Sequence, residues 1–170
     1  MIKVIINAFG PDKPGIVYNL SKLIFSLKGN ISESKMLRLE SDFTLLMLIT
    51  IPEKNFILLE EKLNRLTNLK LNFKITKEHN KNEKYQYFQF SVNVADNEGI
   101  IYNFSELFNK YKVNIEKMES EIINAYVTGS PIFKLKSRLS AQNSLNLIDF
   151  EASLKKIAEE NNIEYTFKKL

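Results

Sequence analysis

The stretch GIVYNLSKL, Gly15–Leu23, returns as GIIYNFSEL, Gly99–Leu107, 84 residues further along the chain. Six of the nine residues are identical, and the alignment runs without a gap from Asp12/Asp96 to Asn30-Ile31/Asn114-Ile115. A repeat at this period divides the 170 residues into two parallel halves. A shared core accounts for the recurring apolar residues but not for the recurring Asp before the stretch or the Asn after it.

Working outward from Gly15, the residues Ile16, Val17, Leu20, Leu23, Ile24 and Leu27 keep the spacing of one helical face, which ends near Gly29. Before it, Ile2, Val4, Ile6 and Ala8 alternate with Lys3, Ile5, Asn7 and Phe9 as in a half-buried strand, broken by GPDKPG. After it come two strand-like runs, NISESKMLRLE and FTLLMLITI, with a turn expected at Ser41-Asp42. Phe56, Leu59, Leu63 and Leu66 mark a second helix and LKLNFKIT a last strand, so the order is βαββαβ. Residues 77–84, KEHNKNEK, contain no apolar side chain and read as a connection.

The second half repeats the order. YQYFQFSVNVA is a strand, a helix runs from about Gly99 to Lys112, and VNIEKMESEI and FKLKSRLS are the next strands. Leu147, Phe150, Leu154, Ile157 and Ala158 mark another helix, and IEYTFKK closes the set. The expected class is α+β, two ferredoxin-like βαββαβ domains in tandem: residues 1–77, a linker at 78–84, and residues 85–170. Helices cover one face of each sheet. The other face carries Ile5 and Phe9 among Lys3 and Asn7 in the first half, and Gln89, Ser91 and Asn93 in the second.

Composition narrows the function. The chain has no cysteine, and Lys, Glu or Asn interrupts every apolar run before the roughly 18 residues of a membrane span. The start, MIKVIINAFG, lacks a leader pattern, which points to the cytoplasm. Net charge is +4, with twelve Lys/Arg against seven Asp/Glu in residues 1–77 and twelve against thirteen in the rest. That excess reads as solvated lysine, and no direct nucleic-acid contact is expected. His79, the single histidine, stands in the charged connection, so neither a metal cluster nor a Ser/His/Asp constellation can form around it. The pairs Glu60-Glu61 and Glu159-Glu160 read as surface, and no phosphate-binding glycine motif occurs. No enzyme, metal or cofactor is expected.

The loop before the first helix carries the chemistry. Pro14 suits a first helical position, which makes Lys13 the nominal cap, without a side-chain acceptor. The early N–H groups are then met by Asp12, by water or by a ligand carboxylate, which Gly15 allows close to the backbone. Asp12 either serves as the cap or accepts a hydrogen bond from an ammonium group. Asn30 and Asn114 are turn residues, or hydrogen-bond the same ligand as Asp12 and Asp96.

FGPDKPGIV followed by GNISESKMLRLESDFTLLMLI resembles the ACT domains of the glycine cleavage system transcriptional repressor family. ADNEGIIYNFSELF, VNIEKMES and TGSPIFKLK extend the resemblance to the second half. It implies a non-catalytic regulator that senses a small amino acid, glycine first, near an interface between ACT domains. Through the resemblance, the candidate ligand residues are Asp12, Lys13, Pro14, Gly15, Ile16, Asn30 and Ile31. A second set comprises Asp96, Asn97, Gly99, Ile100, Asn114 and Ile115. Glu98 replaces Pro14 in the second half, and a carboxylate in the first helical turn disfavours a bound carboxylate, so the second site is expected to be degenerate. The implied partner is a protein, by family analogy a transcriptional regulator, and the chain is expected to form a homo-oligomer. Two alternatives stand beside this reading: an RNA-binding module, since RRMs share the βαββαβ order, and an ACT subunit regulating a metabolic enzyme. Neither third strand has the Gly-aromatic pattern of an RRM.

Overall fold

A computed structural model of the chain describes residues 1–66, 68–77, 84–95, 98–125 and 129–170. Two compact units divide it, Met1–Asn80 and Lys81–Leu170. Unit 1 contains β1 (Ile2–Pro11), α1 (Ile16–Ser26), β2 (Asn30–Leu39), β3 (Asp42–Ile51), α2 (Phe56–Asn64) and β4 (Lys70–Thr76). Unit 2 contains β5 (Tyr85–Ala95), α3 (Ile100–Lys110), β6 (Asn114–Asn124), β7 (Pro131–Gln142), α4 (Leu147–Glu160) and β8 (Glu164–Lys169). The sheets are antiparallel, ordered β2-β3-β1-β4 and β6-β7-β5-β8, which is the ferredoxin-like plan in both units. No helix among the described residues is long and apolar enough to cross a membrane.

Alternation sets the inner faces. In unit 1, Val4, Ile6 and Ala8 of β1 and Leu45, Met47, Ile49 and Ile51 of β3 are buried under Leu20 and Ile24 of α1 and Leu59 and Leu63 of α2. Asn55 ties the helices together, its side-chain N–H donating to the Leu27 carbonyl at 2.9 Å. Unit 2 keeps the register with larger rings. Phe88, Phe90, Phe104, Phe108 and Phe150 are fully buried, and Phe90 lies 4.8 Å from Phe104 between ring centroids. Ile6 pairs with Met47 in β1–β3, whereas the corresponding pair in β5–β7 is Phe90 and Ser137. A larger ring on one strand is offset by a smaller residue on the next, which preserves packing density.

Several boundaries differ from the sequence reading. The β2–β3 turn is Glu40–Ser41, one residue earlier than expected, because Leu39 pairs directly with Asp42 and Glu40 takes a positive φ. The helix after Gly99 ends at Lys110, since Lys112 adopts φ 55° and turns the chain into β6. Lys28 does the same after α1. The following Gly29 is required by space: a Cβ there would stand 2.9 Å from Ile24 Cγ2. His79 lies outside the described residues.

Candidate functional site

The loop from Pro11 to Gly15 leaves β1 at the end of the sheet where Pro11 pairs with Asp42. The Asp12 N–H donates to the Ser41 carbonyl at 3.0 Å, fastening the loop to the β2–β3 turn. The Asp12 carboxylate faces the Arg38 guanidinium at 3.8 Å, both exposed, an arrangement that holds the acid in place with little stabilisation of its own. Asp12 is therefore not the helix cap. Lys13 is not the N-cap either, nor is Pro14 the first helical residue: the N-cap is Gly15 at φ 92°, and α1 starts at Ile16. Only glycine reaches that left-handed conformation without strain, so the chain turns one step later than the proline suggests.

The consequence is an open helix start. No side chain caps α1: the Ile16 N–H donates to the Lys13 carbonyl at 3.5 Å, and the Asn19 N–H donates to the Gly15 carbonyl at 2.8 Å. Beside it lies a cleft of about 150 Å³, lined by Lys13, Pro14, Ile16 and Asn19 and, from the α2–β4 connection, by Leu66 and Asn68. N–H groups and a lysine beside a small cleft suit a carboxylate; Asp12 is in the same loop but is not among the residues that line the cleft, being held on the side of the β2–β3 turn. Ile16 is half-buried against the core and forms the apolar wall.

Asn30 and Ile31 are elsewhere. Asn30 pairs with Thr50, and Thr50 with Lys3, at the far end of the sheet from Asp12. Eight positions of β3 separate Thr50 from Asp42, about 27 Å at ~3.4 Å per residue. One unit therefore does not bring Asp12 and Asn30 to the same ligand. Ile31 packs against the core.

In the second set, Asp96 and Asn97 lie outside the described residues. Gly99 repeats the geometry of Gly15 as the N-cap at φ 83°, and α3 has no acidic residue in its first turn. Glu98 thus stands before the cap and not within the helix, because Gly99 again takes the left-handed position. Ile100 is buried in the core and Ile115 packs against it. The Asn114 side-chain N–H donates to Glu116 at 2.9 Å, and the Ser140 hydroxyl also donates to that carboxylate. Glu116 is the extra residue of a β-bulge, and the matching bulge in β2 holds Ser32.

Arg38, Asn19, Asn68 and Glu116 belong to these sites and were not among the sequence candidates. Asn19 recurs as Asn103 within the repeated stretch and so carried a signal, whereas Ser32/Glu116 is the first pair beyond the aligned repeat. Arg38 and Asn68 come close only through the β2–β3 turn and the α2–β4 connection. Among the described residues no group of three acidic, His or Cys side chains could hold a metal ion. The RRM alternative calls for stacked aromatics in the middle of the sheet. The open face of unit 1 has Phe9 with Lys70 over its ring at 5.5 Å, and that of unit 2 has Tyr85 and Tyr87 at the start of β5.

Comparison with known proteins agrees with this architecture. Residues 3–76 match the ACT domain family. The glycine cleavage system transcriptional repressor of Escherichia coli (strain K12) is 24% identical over 164 residues, covering 95% of this chain and 86% of the repressor. The Shigella flexneri repressor matches to the same extent. Among solved structures, an unknown protein from Galdieria sulphuraria superposes with a TM-score of 0.87 at 21% identity, over 99% of this chain and 98% of that one. A crystal structure provisionally assigned to a glycine cleavage system transcriptional repressor superposes with a TM-score of 0.69 at 20% identity, over 99% and 97%.

Proposed function

We propose, from the match of residues 3–76 to the ACT domain family, that this chain is a non-catalytic, cytoplasmic regulator that binds a small amino acid, glycine first, at the Pro11–Ile16 loop. The observation that carries the reading is the uncapped start of α1 beside a cleft of about 150 Å³, with Asp12 in the same loop. The ligand carboxylate meets the N–H groups of the first turn of α1 beyond Ile16, and Lys13, and its ammonium reaches toward Asp12. The match to a glycine cleavage repressor supports glycine and a transcriptional regulator as the protein partner. Asn30, at the far end of its own sheet, reaches such a ligand only from a second copy of the unit, so the reading includes a homo-oligomer. Ligand then favours one assembly over another and changes affinity for the partner.

Calorimetry and thermal shift against the twenty amino acids test this. A ligand at about 100 times its Kd stabilises the protein by roughly 2.7 kcal/mol. Glycine or another small amino acid should give heat and a raised Tm, both lost in Asp12→Ala. No shift with any amino acid at millimolar concentration refutes the sensing reading.

A further inference from the structure

Because the two units repeat one fold, the open faces of their sheets compare position by position. Ile5, Asn7 and Phe9 of β1 correspond to Gln89, Ser91 and Asn93 of β5; their partners Leu48, Leu46 and Thr44 correspond to Arg138, Lys136 and Lys134. On unit 2 the charges answer one another across strands. Glu119 is opposite Lys136 and Glu121 opposite Lys134, Ser91 and Thr166 share a hydrogen bond of 2.6 Å, and Arg138 lies over the Tyr87 ring. That face is made for water.

On unit 1 four of the six positions are apolar, Ile5, Phe9, Leu46 and Leu48, beside Asn7 and Thr44. Leu46 is 49% exposed, Leu37 47% and Phe9 44%, and Ile5, Leu46 and Leu48 line a groove of about 220 Å³ whose rim is Glu33 and Lys35. The charge on this face is predominantly positive: Lys3, Lys35, Lys70 and Lys74 against Glu33 and Asp42, with Glu33 paired to Lys35 at 3.3 Å. Since both units descend from one pattern, the fold does not require this apolar strip; unit 2 stands without it. An exposed apolar strip with an excess of one charge around it marks an interaction surface.

We propose that the open sheet face of unit 1 is a docking surface for an acidic protein segment bearing apolar side chains. This rests on the reading of the chain as a regulator acting through a protein partner, and names the surface that partner uses. Charge selects the occupant. A second copy of the same face would set lysines against lysines, and the open face of unit 2 offers Lys117, Lys134, Lys136, Arg138 and Lys168 against Glu119, Glu121 and Glu164. A nucleic acid would satisfy the lysines but leave Ile5, Leu46 and Leu48 against phosphate and sugar. Carboxylates interleaved with apolar side chains satisfy both halves of the surface.

The test is an NMR titration of the full chain with a synthetic peptide alternating Glu with Leu, beside a peptide with Lys in place of Glu and an oligo(dT) strand. The acidic peptide should shift amides of β1, β3 and β4 and weaken as salt rises. Leu46→Asp and Lys70→Glu, both at exposed positions, should each weaken it about tenfold or more, while Lys136→Asp leaves it unchanged. Shifts confined to unit 2, affinity indifferent to Leu46→Asp and Lys70→Glu, absence of binding, or preference for oligo(dT) on this face would overturn the proposal. So would self-association abolished by Leu46→Asp. Glycine calorimetry on the same samples reads the other site: glycine heat without peptide docking sinks the face alone, and docking without glycine heat sinks the ligand reading alone.

Discussion

Gly15→Ala and Gly99→Ala are a matched pair whose effects on stability and on ligand binding should separate. Both glycines are N-caps in the left-handed region, at φ 92° and 83°. An added Cβ at Gly15 meets only Asn19 Nδ2 at 3.8 Å, an ordinary contact, and at Gly99 it meets nothing within 4 Å. Neither alanine clashes, so each pays only for its conformation, about 1–2 kcal/mol for an L-residue there. The stiffer alanine in the unfolded chain does not offset this, because the native conformation is the wrong one for it. Urea unfolding should show the two variants losing stability equally, within about 0.5 kcal/mol of each other. Gly10→Ala should lose more, since its Cβ would stand 2.8 Å from the Asn68 carbonyl. Ligand affinity should divide the pair: the methyl at residue 15 stands where a carboxylate would approach the α1 start and lowers glycine affinity about tenfold, whereas Gly99→Ala leaves it unchanged. A Gly15→Ala protein of unaltered stability would refute the left-handed cap. Equal losses of affinity would refute the assignment of ligand binding to the first unit.

Three further outcomes follow from single contacts. Ser137 is 1% exposed and its hydroxyl has no hydrogen-bond partner among the described residues, so Ser137→Ala should raise the urea midpoint by an amount worth about 1 kcal/mol; a lowered midpoint would mean the hydroxyl is satisfied. The Tyr102 hydroxyl donates to Glu106 at 3.2 Å, and this hydrogen bond, then the carboxylate's charge, then slight desolvation hold its pKa above the usual phenol value. Glu106→Gln should bring the Tyr102 ionisation to lower pH in an ultraviolet titration, and an unmoved ionisation would deny the contact. Ser32→Glu should recreate in β2 the carboxylate that engages Asn114 in β6; if Asn30 completes the ligand site, glycine affinity falls in calorimetry, and unchanged affinity would take Asn30 out of it.

The fold was legible because every strand next to the core alternates and every helix carries one apolar stripe. Val4, Ile6 and Ala8 need no tertiary information to be placed inward. Ser137 is different. Alternation in FKLKSRLS puts it on the inner face with Leu135 and Leu139, but why a serine stands there is seen only beside Phe90, the ring that takes the space filled by Met47 in unit 1. The helix start was misplaced for a local reason: proline favours the first turn, yet the glycine after it adopts a conformation that no propensity assigns to a cap without a side chain. Asn30 shows what adjacency hides. It follows α1 in the chain, but β1 and β2 run the same way on either side of β3, so the start of β2 lies beside the start of β1, far from the loop at its end.

What distinguishes the two units is where their polar groups find partners. In unit 2 the bulge residue Glu116 takes the Asn114 amide and the Ser140 hydroxyl, and Glu106 takes the Tyr102 hydroxyl. At the matching places in unit 1, Ser32 replaces the glutamate, Asn30 has no side-chain hydrogen bond among the described residues, and Lys22 lies over the Tyr18 ring at 5.5 Å. The open face of unit 2 is polar, with glutamates set opposite lysines across β6 and β7, while that of unit 1 is largely apolar with lysines in excess around it. A duplicated fold needs only its core and turns to be kept. Divergence that closes polar groups on one another in one copy and leaves them outward in the other fits the division of labour proposed above, with ligand and partner recognition assigned to unit 1.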